Sequence, residues 1–294
     1  MNNNDKRLGA EPIPRLIFSL ALPAVAAQLI NVLYNIVDRI YIGHMEGVGD
    51  LALTGVGITL PILMVIAAFS AFVGMGGAPL ASIKLGEGDH KGAERILGNS
   101  VTLLLIISVT LTVLFLAFKR PLLYLFGASD NLIGYADSYL TIYLIGTIFV
   151  QIALGLNTYI SAQGNAKTAM LSVLIGAIAN IVLDPILIFW AGLGVSGAAL
   201  ATIISQALSA VWVMWFLLSE KSVIRLRRQN MKLDRKIVAS IAALGISPFL
   251  MQSTESLVNV VFNTGLQNYG GDLYVGSMTI MQSVMQLIVV PING

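Results

Sequence analysis

The stretch Ala177-Ile-Ala-Asn-Ile-Val-Leu-Asp-Pro-Ile-Leu-Ile-Phe-Trp190 places a carboxylate and a proline inside an otherwise apolar run. A soluble core rarely holds such a carboxylate. Inside a membrane helix an ionisable residue costs roughly 2.5 to 3.5 kcal/mol on insertion scales, so its presence there indicates a function. Asp184 is therefore the first candidate functional residue.

The composition is that of an integral membrane protein. Of 294 residues, 56% are hydrophobic and 11% are charged, against roughly 25% charged in an ordinary soluble domain. The chain has no cysteine and only two histidines, His44 and His90, which excludes disulfides and a histidine-built metal site. We interpret the polar start, Met1 to Pro14, as a cytoplasmic tail rather than a removable signal.

About eight apolar segments are long enough to cross roughly 30 Å of hydrocarbon. We therefore predict an all-α, polytopic membrane helical bundle. The segments are Leu16–Ile42, Leu51–Met75, Ile96–Phe118, Tyr135–Ala162, Ala169–Ala191, Val195–Leu218, Ile237–Thr264 and Leu273–Gly294.

The basic residues predict the orientation, because cytoplasmic loops are enriched in Lys and Arg. With the N-terminus inside, only Arg39, Lys119 and Arg120 fall outside. The inner side then collects Lys6, Arg7, Arg15, Lys84, Lys91, Arg95, Lys167, Lys221, Arg225, Arg227, Arg228, Lys232, Arg235 and Lys236.

The basic connection Glu220–Lys236 divides the chain into two parts. We predict an N-terminal six-helix lobe over 1–218, a cytoplasmic linker over 219–236, and the first two helices of a second lobe over 237–294. A weak parallel repeat supports this division, since Pro23 precedes Asp38 by the same spacing as Pro248 precedes Asn263. On this interpretation the chain is a fragment of a longer protein. The connection is interpreted as an inside anchor and linker, with a dedicated anionic-lipid site as the alternative.

Several intramembrane polar residues are predicted to share one outer layer. Asp184 precedes the interfacial Trp190 by six residues and so lies about 9 Å deep. Asp38, Thr202 and Tyr139 fall near the outer ends of their own segments. Helical spacing extends the layer, since Asn180 lies four residues before Asp184, and Tyr34 and Asn31 lie four and seven before Asp38.

Such a layer suits reversible cation binding. A carboxylate removed from water takes up a proton more readily, and with amide and hydroxyl oxygens it could instead hold Na⁺. Pro185 has no N–H, so the helix can kink there. The alternatives are that Asp184 only packs helices and that Asp38 is merely hydrated. We expect Arg39 to extend to the outer surface and to form no ion pair with Asp38, its sequence neighbour.

Glu255 is a third deep acid, in the polar cluster Gln252-Ser-Thr-Glu-Ser256. It could belong to a second ion site, line the substrate cavity, or join helices by hydrogen bonds. Its sequence surroundings do not decide among these.

The segments Asn31-Val-Leu-Tyr-Asn-Ile-Val-Asp-Arg-Ile-Tyr-Ile-Gly43, Asn180-Ile-Val-Leu-Asp-Pro185, Gly197-Ala-Ala-Leu-Ala-Thr202 and Val290-Pro-Ile-Asn-Gly294 resemble the multidrug and toxic compound extrusion (MATE) transporters, especially the branch with Gram-positive multidrug exporters. The resemblance implies twelve helices in two six-helix lobes and drug efflux driven by H⁺ or Na⁺. It also implies a cation site, where Na⁺ is the only metal ion that we expect. It further implies cavity-lining residues in addition to Asn31 and Tyr34. The implied cation ligands are Asp38, Asn180, Asp184 and Thr202, and the implied lining residues are Tyr139, Asn157 and, in one branch, Glu255.

The resulting hypothesis is a plasma-membrane antiporter that exports amphipathic or cationic drugs and contributes to antibiotic resistance. The alternatives are a lipid-linked oligosaccharide flippase of the same superfamily and a non-transporting membrane subunit. We expect no enzymatic activity and no cofactor beyond the coupling ion. The expected partners are small-molecule drugs and the lipid bilayer but no nucleic acid, and we expect a monomer at full length.

Overall fold

The computed structural model describes the backbone of residues 13–293 and the side chains of residues 21–285. Over that part of the chain every long element is a helix and no β-strand occurs, which confirms the predicted fold class. The sequence expectations for the tail 1–12 and for the side chains of Val290-Pro-Ile-Asn-Gly294 lie outside the described residues. The helices are α1 Ile13–Gly43, α2 Gly49–Gly86, α3 His90–Leu125, α4 Ile133–Ile145, α5 Thr147–Ala162, α6 Ala166–Pro185, α7 Gly194–Leu218 and α8 Arg235–Asn293.

The last helix is a hairpin of two arms. Gly271 has a non-helical backbone (φ 65°, ψ −164°), and the side chain of Gln282 contacts that of Asn259, so the chain reverses between them. We call residues 235–270 the first arm and residues 272–293 the second arm. The same tripeptide, Gly-Asp-Leu, begins at Gly271 and at Gly49 at the start of α2, so it occurs at two reversals of the chain.

The predicted eight segments agree with the helices when the two arms are counted separately. Among the described residues, six helices are long and apolar enough to cross a membrane, and the pair α4 and α5, bent by 60°, makes a seventh. The helix α8 is counted once among the six, although it contains both arms, so counting the arms separately gives eight crossings. The structure therefore supports the predicted number of crossings.

The predicted boundaries differ from the observed ones by several residues, and the largest difference is in α2, which continues to Gly86 rather than ending at Met75. The helix passes through Gly74-Met-Gly-Gly77, where each glycine faces a neighbouring element. A Cβ on Gly74 would lie 2.6 Å from the carbonyl oxygen of Gly155, and one on Gly77 would overlap the Tyr159 hydroxyl. Small residues here let α5 approach α2 closely, which is how helices associate in membranes.

The two ends of the bundle differ in the connections they carry. We call the end with the 219–234 connection the linker end, and the end with the reversals at Gly43–Gly49 and Gly271 the far end. The helix α2 packs against both arms of α8: its Pro61 carbonyl accepts a 2.9 Å hydrogen bond from Ser256 of the first arm. Two apolar clusters fill the bundle, one toward each end.

The 219–234 connection is folded onto the bundle. The side-chain oxygen of Gln163 accepts hydrogen bonds from Ser222 Oγ (2.9 Å) and from the backbone N–H groups of Val223 (2.8 Å) and Ile224 (3.0 Å). Farther along, Asn99 Oδ1 accepts from the Asp234 N–H at 2.7 Å. The connection is thus tied to α3 and to the end of α5 at two places.

Candidate functional site

The end of α6 has the local geometry that its sequence predicts. Asn180 Nδ2 donates a 3.2 Å hydrogen bond to Asp184 Oδ1, one helical turn away. After Pro185 the helix widens into a π-helical turn over Ile186–Trp190, in which the Ala191 N–H reaches back to the Ile186 carbonyl at 2.8 Å. Single π-helical turns are frequent at functional sites. Asp184 therefore lies directly before a change in helix geometry.

Asp38 of α1 and Asp184 of α6 meet across the helix interface. Their carboxyl groups are within hydrogen-bonding reach of each other, and both side chains are buried, with 8% and 0% exposure. Two carboxylates at such a distance cannot both be ionised without a proton or another cation between them. The pair is thus a chemically specific place for a cation.

Several oxygen atoms around this pair have no hydrogen-bond partner. In native proteins most buried polar atoms are paired with protein or ordered water. Here four oxygens from three helices lack a protein partner, three of them on the acids and Asn180 and one on Ser205, which lines the cavity leading to the pair. They are Asp38 Oδ1, Asp184 Oδ2, Asn180 Oδ1 and Ser205 Oγ.

Two tyrosines complete the polar surroundings. The hydroxyl of Tyr139 lies close to the side chain of Thr202 and within electrostatic range of Asp38. Tyr34, one turn before Asp38, lies close to the side chain of Gln206 and within electrostatic range of both acids. The predicted outer layer is therefore assembled in space, with four helices contributing.

A cavity of about 280 Å³ approaches the acid pair from the linker end. It lies between α1, α5, α6 and α7, begins beside Ser161 and Ala166, and reaches Tyr34, Asn180 and Thr202. Asp38 and Asp184 are each four residues beyond Tyr34 and Asn180, which on a helix is about 6 Å. The cavity thus ends roughly one helical turn short of the carboxyl groups.

Apolar packing closes the opposite side of the pair. Ile42 of α1, Ile188 of the π-helical turn and Val195 of α7 are all buried in the far-end cluster. Tyr139 joins the same cluster and stacks on Tyr143, with ring centroids 6.3 Å apart. In this conformation the pair is screened from the far end and approached from the linker end.

The prediction that the Arg39 side chain extends to the outer surface is wrong. Its guanidinium does not extend to an outer surface but donates to the Thr279 carbonyl at 3.4 Å and contacts the Ser283 hydroxyl, both on the second arm of α8. That arm runs alongside α1 and offers acceptors, which a partly buried guanidinium needs. No Asp38–Arg39 ion pair occurs among the described residues, as expected.

Only some of the other residues that were predicted to line the cavity do so. Asn31 and Asn157 line the cavity, and Asn157 Oδ1 accepts a 3.0 Å hydrogen bond from Ser172. Tyr139 is not among the cavity-lining residues because it packs beyond the cavity's far end. Glu255 is exposed on the first arm of α8 and does not line the cavity between α1, α5, α6 and α7, whereas the neighbouring Ser256 faces α2.

Three residues on α7 were missed by the sequence analysis. Ser205, Gln206 and Ser209 line the cavity three, four and seven residues after Thr202, so they continue its polar face at helical spacing. The same spacing argument that linked Asn180 to Asp184 could have found them. The described residues contain no group of three or more His, Cys, Asp or Glu side chains arranged for a metal ion, so a cation here would rely on amide and hydroxyl oxygens as well.

Comparison with known proteins gives consistent matches. The model of the MatE family matches residues 23–186, more than half of the chain. The multidrug export protein MepA of Staphylococcus haemolyticus is 28% identical over 256 residues, which are 87% of this chain and 56% of that relative. The chain therefore spans little more than half the length of this relative.

Solved structures of transporters share the fold. The MATE multidrug transporter DinF-BH, solved as a ligand complex, has a TM-score of 0.92 and 34% identity over 99% of this chain and 65% of its own. An outward-facing multidrug resistance MATE family transporter of the MOP superfamily has a TM-score of 0.87 and 27% identity over 100% of this chain and 64% of its own. These matches confirm the family that the sequence motifs indicate: the chain belongs to the MATE family, a family of transporters rather than enzymes.

Proposed function

We propose that the protein is a secondary-active exporter of amphipathic or cationic drugs, and that it exchanges them for H⁺ or Na⁺ bound between Asp38 and Asp184. The single observation that carries this proposal is the facing, buried carboxyl pair with unpartnered oxygens. The names of the relatives, which are multidrug export proteins and multidrug transporters, support the substrate class.

The charges at the pair favour a single cation. Two ionised carboxylates with Arg39 as the nearby positive charge leave one negative charge in excess. A proton or one Na⁺ would balance it, with the unpartnered Asn180 oxygen beside Asp184 available to Na⁺. Hard cations bind such carboxylate and carbonyl oxygens. Both ions meet this description, and separate H⁺ and Na⁺ gradients distinguish them.

Coupling follows from the helices that the ion and the drug share. The cation joins α1 to α6, and the same two helices form walls of the cavity. A cation that draws α1 and α6 together narrows the space a drug would need. The two ligands then shift one conformational equilibrium in opposite directions, which is the thermodynamic requirement for exchange.

The cavity's size indicates which ligand this conformation accommodates. Its 280 Å³ lies at or below the lower limit of drug-binding pockets, about 300 to 1,000 Å³. Polar amides and hydroxyls line it at several levels. We infer that this conformation admits water and a small cation from the linker end, and that drug binding requires α1 to move away from α6.

The proposed location is the plasma membrane, with the N-terminus and the linker end in the cytoplasm. The support is the concentration of Lys and Arg near the linker end. On this orientation the far-end cluster closes the external side, and the cavity faces the cytoplasm. The structure then represents a state from which the cation leaves inward.

The test is drug efflux by the protein expressed from the complete reading frame that contains this chain. The purified protein is reconstituted into proteoliposomes, and dye movement is followed under an imposed H⁺ gradient, an imposed Na⁺ gradient, or neither. Asp38→Asn and Asp184→Asn should each abolish gradient-driven efflux. Asp50→Asn, which alters an exposed acid at the far end, serves as the matched control and should retain it.

The outcomes separate the possible conclusions. Efflux driven by only one of the gradients identifies the coupling ion. Undiminished gradient-driven efflux in Asp184→Asn would overturn the proposal, since the carboxyl pair could not then be the coupling site.

A further inference from the structure

A second charged site lies at the linker end, far from the carboxyl pair. We call it the linker pocket, and it is formed by the start of α3 and by residues 227–237. Its volume is about 940 Å³. Its basic lining residues are Lys91, Arg95, Arg227, Lys232 and Arg235.

The walls of the linker pocket are fixed by specific contacts. Arg227 Nε donates to Glu94 Oε1 at 3.1 Å, and Thr102 Oγ1 donates to the Met231 carbonyl at 2.7 Å. A Cβ on Gly98 would lie 2.3 Å from the Asn230 carbonyl oxygen, so the linker backbone touches α3 directly. The basic groups are therefore held on a shaped surface rather than on a mobile tail.

The charge of the linker pocket is unbalanced. Five basic side chains face two acidic ones, Glu94 and Asp234. Glu94 is already paired with Arg227, and Asp234 Oδ1 accepts the Lys236 N–H at 2.8 Å. The remaining four, which form no ion pair with any described residue, are Lys91, Arg95, Lys232 and Arg235.

The position of the pocket indicates what its ligand is. It lies where the apolar segments α3 and α8 begin, at the level of a membrane surface. Leu233, which is 48% exposed, and Ile237 provide apolar contacts beside the charges. Basic pockets on the cytoplasmic side of membrane helices bind anionic lipid headgroups. We propose that the linker pocket binds a phosphate-bearing anion, and that its source is the headgroup of an anionic phospholipid.

Such a ligand would act on the connection between the two parts of the chain. Arg95 belongs to α3, whereas Lys232 lies in the linker and Arg235 begins the first arm of α8. A phosphate held among them would join these elements. The anion would thus stabilise the position of the first arm relative to α1–α7, and membrane composition would influence the movement of that arm.

The test measures thermal unfolding of the purified chain in a zwitterionic detergent, with lipid added. A phosphatidylglycerol with short acyl chains is titrated against the matching phosphatidylcholine. Glycerol 3-phosphate and inorganic phosphate are titrated separately, which distinguishes a lipid from a soluble phosphate as the source. The triple variant R95Q/K232Q/R235Q removes the unpaired charges of the pocket. The control K167Q/K221Q/R225Q removes three charges elsewhere near the linker end.

The expected result is a phosphatidylglycerol-dependent rise in melting temperature that phosphatidylcholine does not produce. The pocket variant should bind phosphatidylglycerol at least about tenfold more weakly, since each basic residue near an anionic surface contributes noticeably, whereas the control should bind it normally. Soluble phosphates with the same effect at the same concentrations would overturn the lipid source. Equal weakening in both variants, or no preference for phosphatidylglycerol in the unaltered chain, would overturn the site itself.

Discussion

The carboxyl pair and the linker pocket each bring like charges together, but the acids of the pair are buried and the basic side chains of the pocket are exposed. At the pair, two acids are buried among apolar side chains, and several of their neighbouring oxygens have no partner. At the linker pocket, basic side chains such as Arg95 and Lys232 are exposed, and the buried polar groups beneath them are hydrogen-bonded.

The difference shows where a ligand is energetically required. Water can solvate the exposed basic groups, so the stability of the fold does not depend on an anion bound there. Burial removes that option at the pair, because an unbalanced charge in a low-dielectric interior is expensive. On the proposed function, a cation at Asp38 and Asp184 would stabilise the buried pair itself, whereas an anion in the linker pocket would only adjust a surface that is already solvated.

The largest expected effect is on the pair itself. Asp184→Asn keeps the acceptor for Asn180 but removes the excess negative charge. Besides losing coupled efflux, this variant should unfold at higher temperature than the unaltered protein in alkaline, Na⁺-free solution, with a gain of about 1 to 3 kcal/mol. Tryptophan fluorescence during heating measures this. Lower stability of the variant under those conditions would mean that the pair is not under electrostatic stress.

The next effect concerns the anchoring of the linker. Gln163→Ala should destabilise the protein by about 2 to 3 kcal/mol, because the buried Ser222 hydroxyl and the N–H groups of Val223 and Ile224 lose their shared acceptor. Hydrogen exchange at Val223 and Ile224 should accelerate in the variant. Gln229→Ala, at an exposed linker position, should change stability by less than about 0.5 kcal/mol. Unchanged exchange in Gln163→Ala would show that the linker is held by other contacts.

A smaller effect links the pair to α8. Arg39→Gln removes the positive charge nearest Asp38, so the pair should bind its cation about tenfold more tightly, as expected for a unit charge several ångströms away in a partly buried site. The control is Arg120→Gln, an exposed far-end residue. Weaker cation binding in Arg39→Gln would indicate that the guanidinium's contacts with Thr279 and Ser283 position Asp38 instead.

The smallest effect is expected at the linker pocket. Arg95→Gln should leave the unfolding free energy within about 0.5 kcal/mol of the original value, since the side chain is exposed and unpaired. Its headgroup binding should also weaken as salt rises from low to physiological concentration. A large loss of stability in Arg95→Gln without lipid would remove the contrast between the two regions.

Helical spacing was enough to predict one part of the site. The contact between Asn180 and Asp184 follows from a four-residue separation on a single helix, and the change of geometry after Pro185 follows from its missing N–H. The outer layer with Asp38, Thr202 and Tyr139 followed from counting depth along each segment. These arguments use only positions along a helix, which a sequence states directly.

Features that depend on neighbouring helices were not predictable in the same way. Arg39 turns inward because the second arm of α8 passes beside α1, and no pattern in α1 states that. The continuation of α2 past Met75 depends on how closely α5 approaches its glycines. Gln163 anchors a linker that begins more than fifty residues later, so its role appears only once both are placed in space.

The most direct test of the central claim is the number of cations that the purified protein binds. Equilibrium binding of radioactive Na⁺ counts bound Na⁺ per chain, and acid–base titration in Na⁺-free solution, compared with the double variant, counts protons bound at the pair. We predict one cation per chain in the unaltered protein and in Asp50→Asn, and none in the double variant Asp38→Asn/Asp184→Asn. Undiminished cation binding in the double variant would contradict the assignment of the carboxyl pair as the cation site.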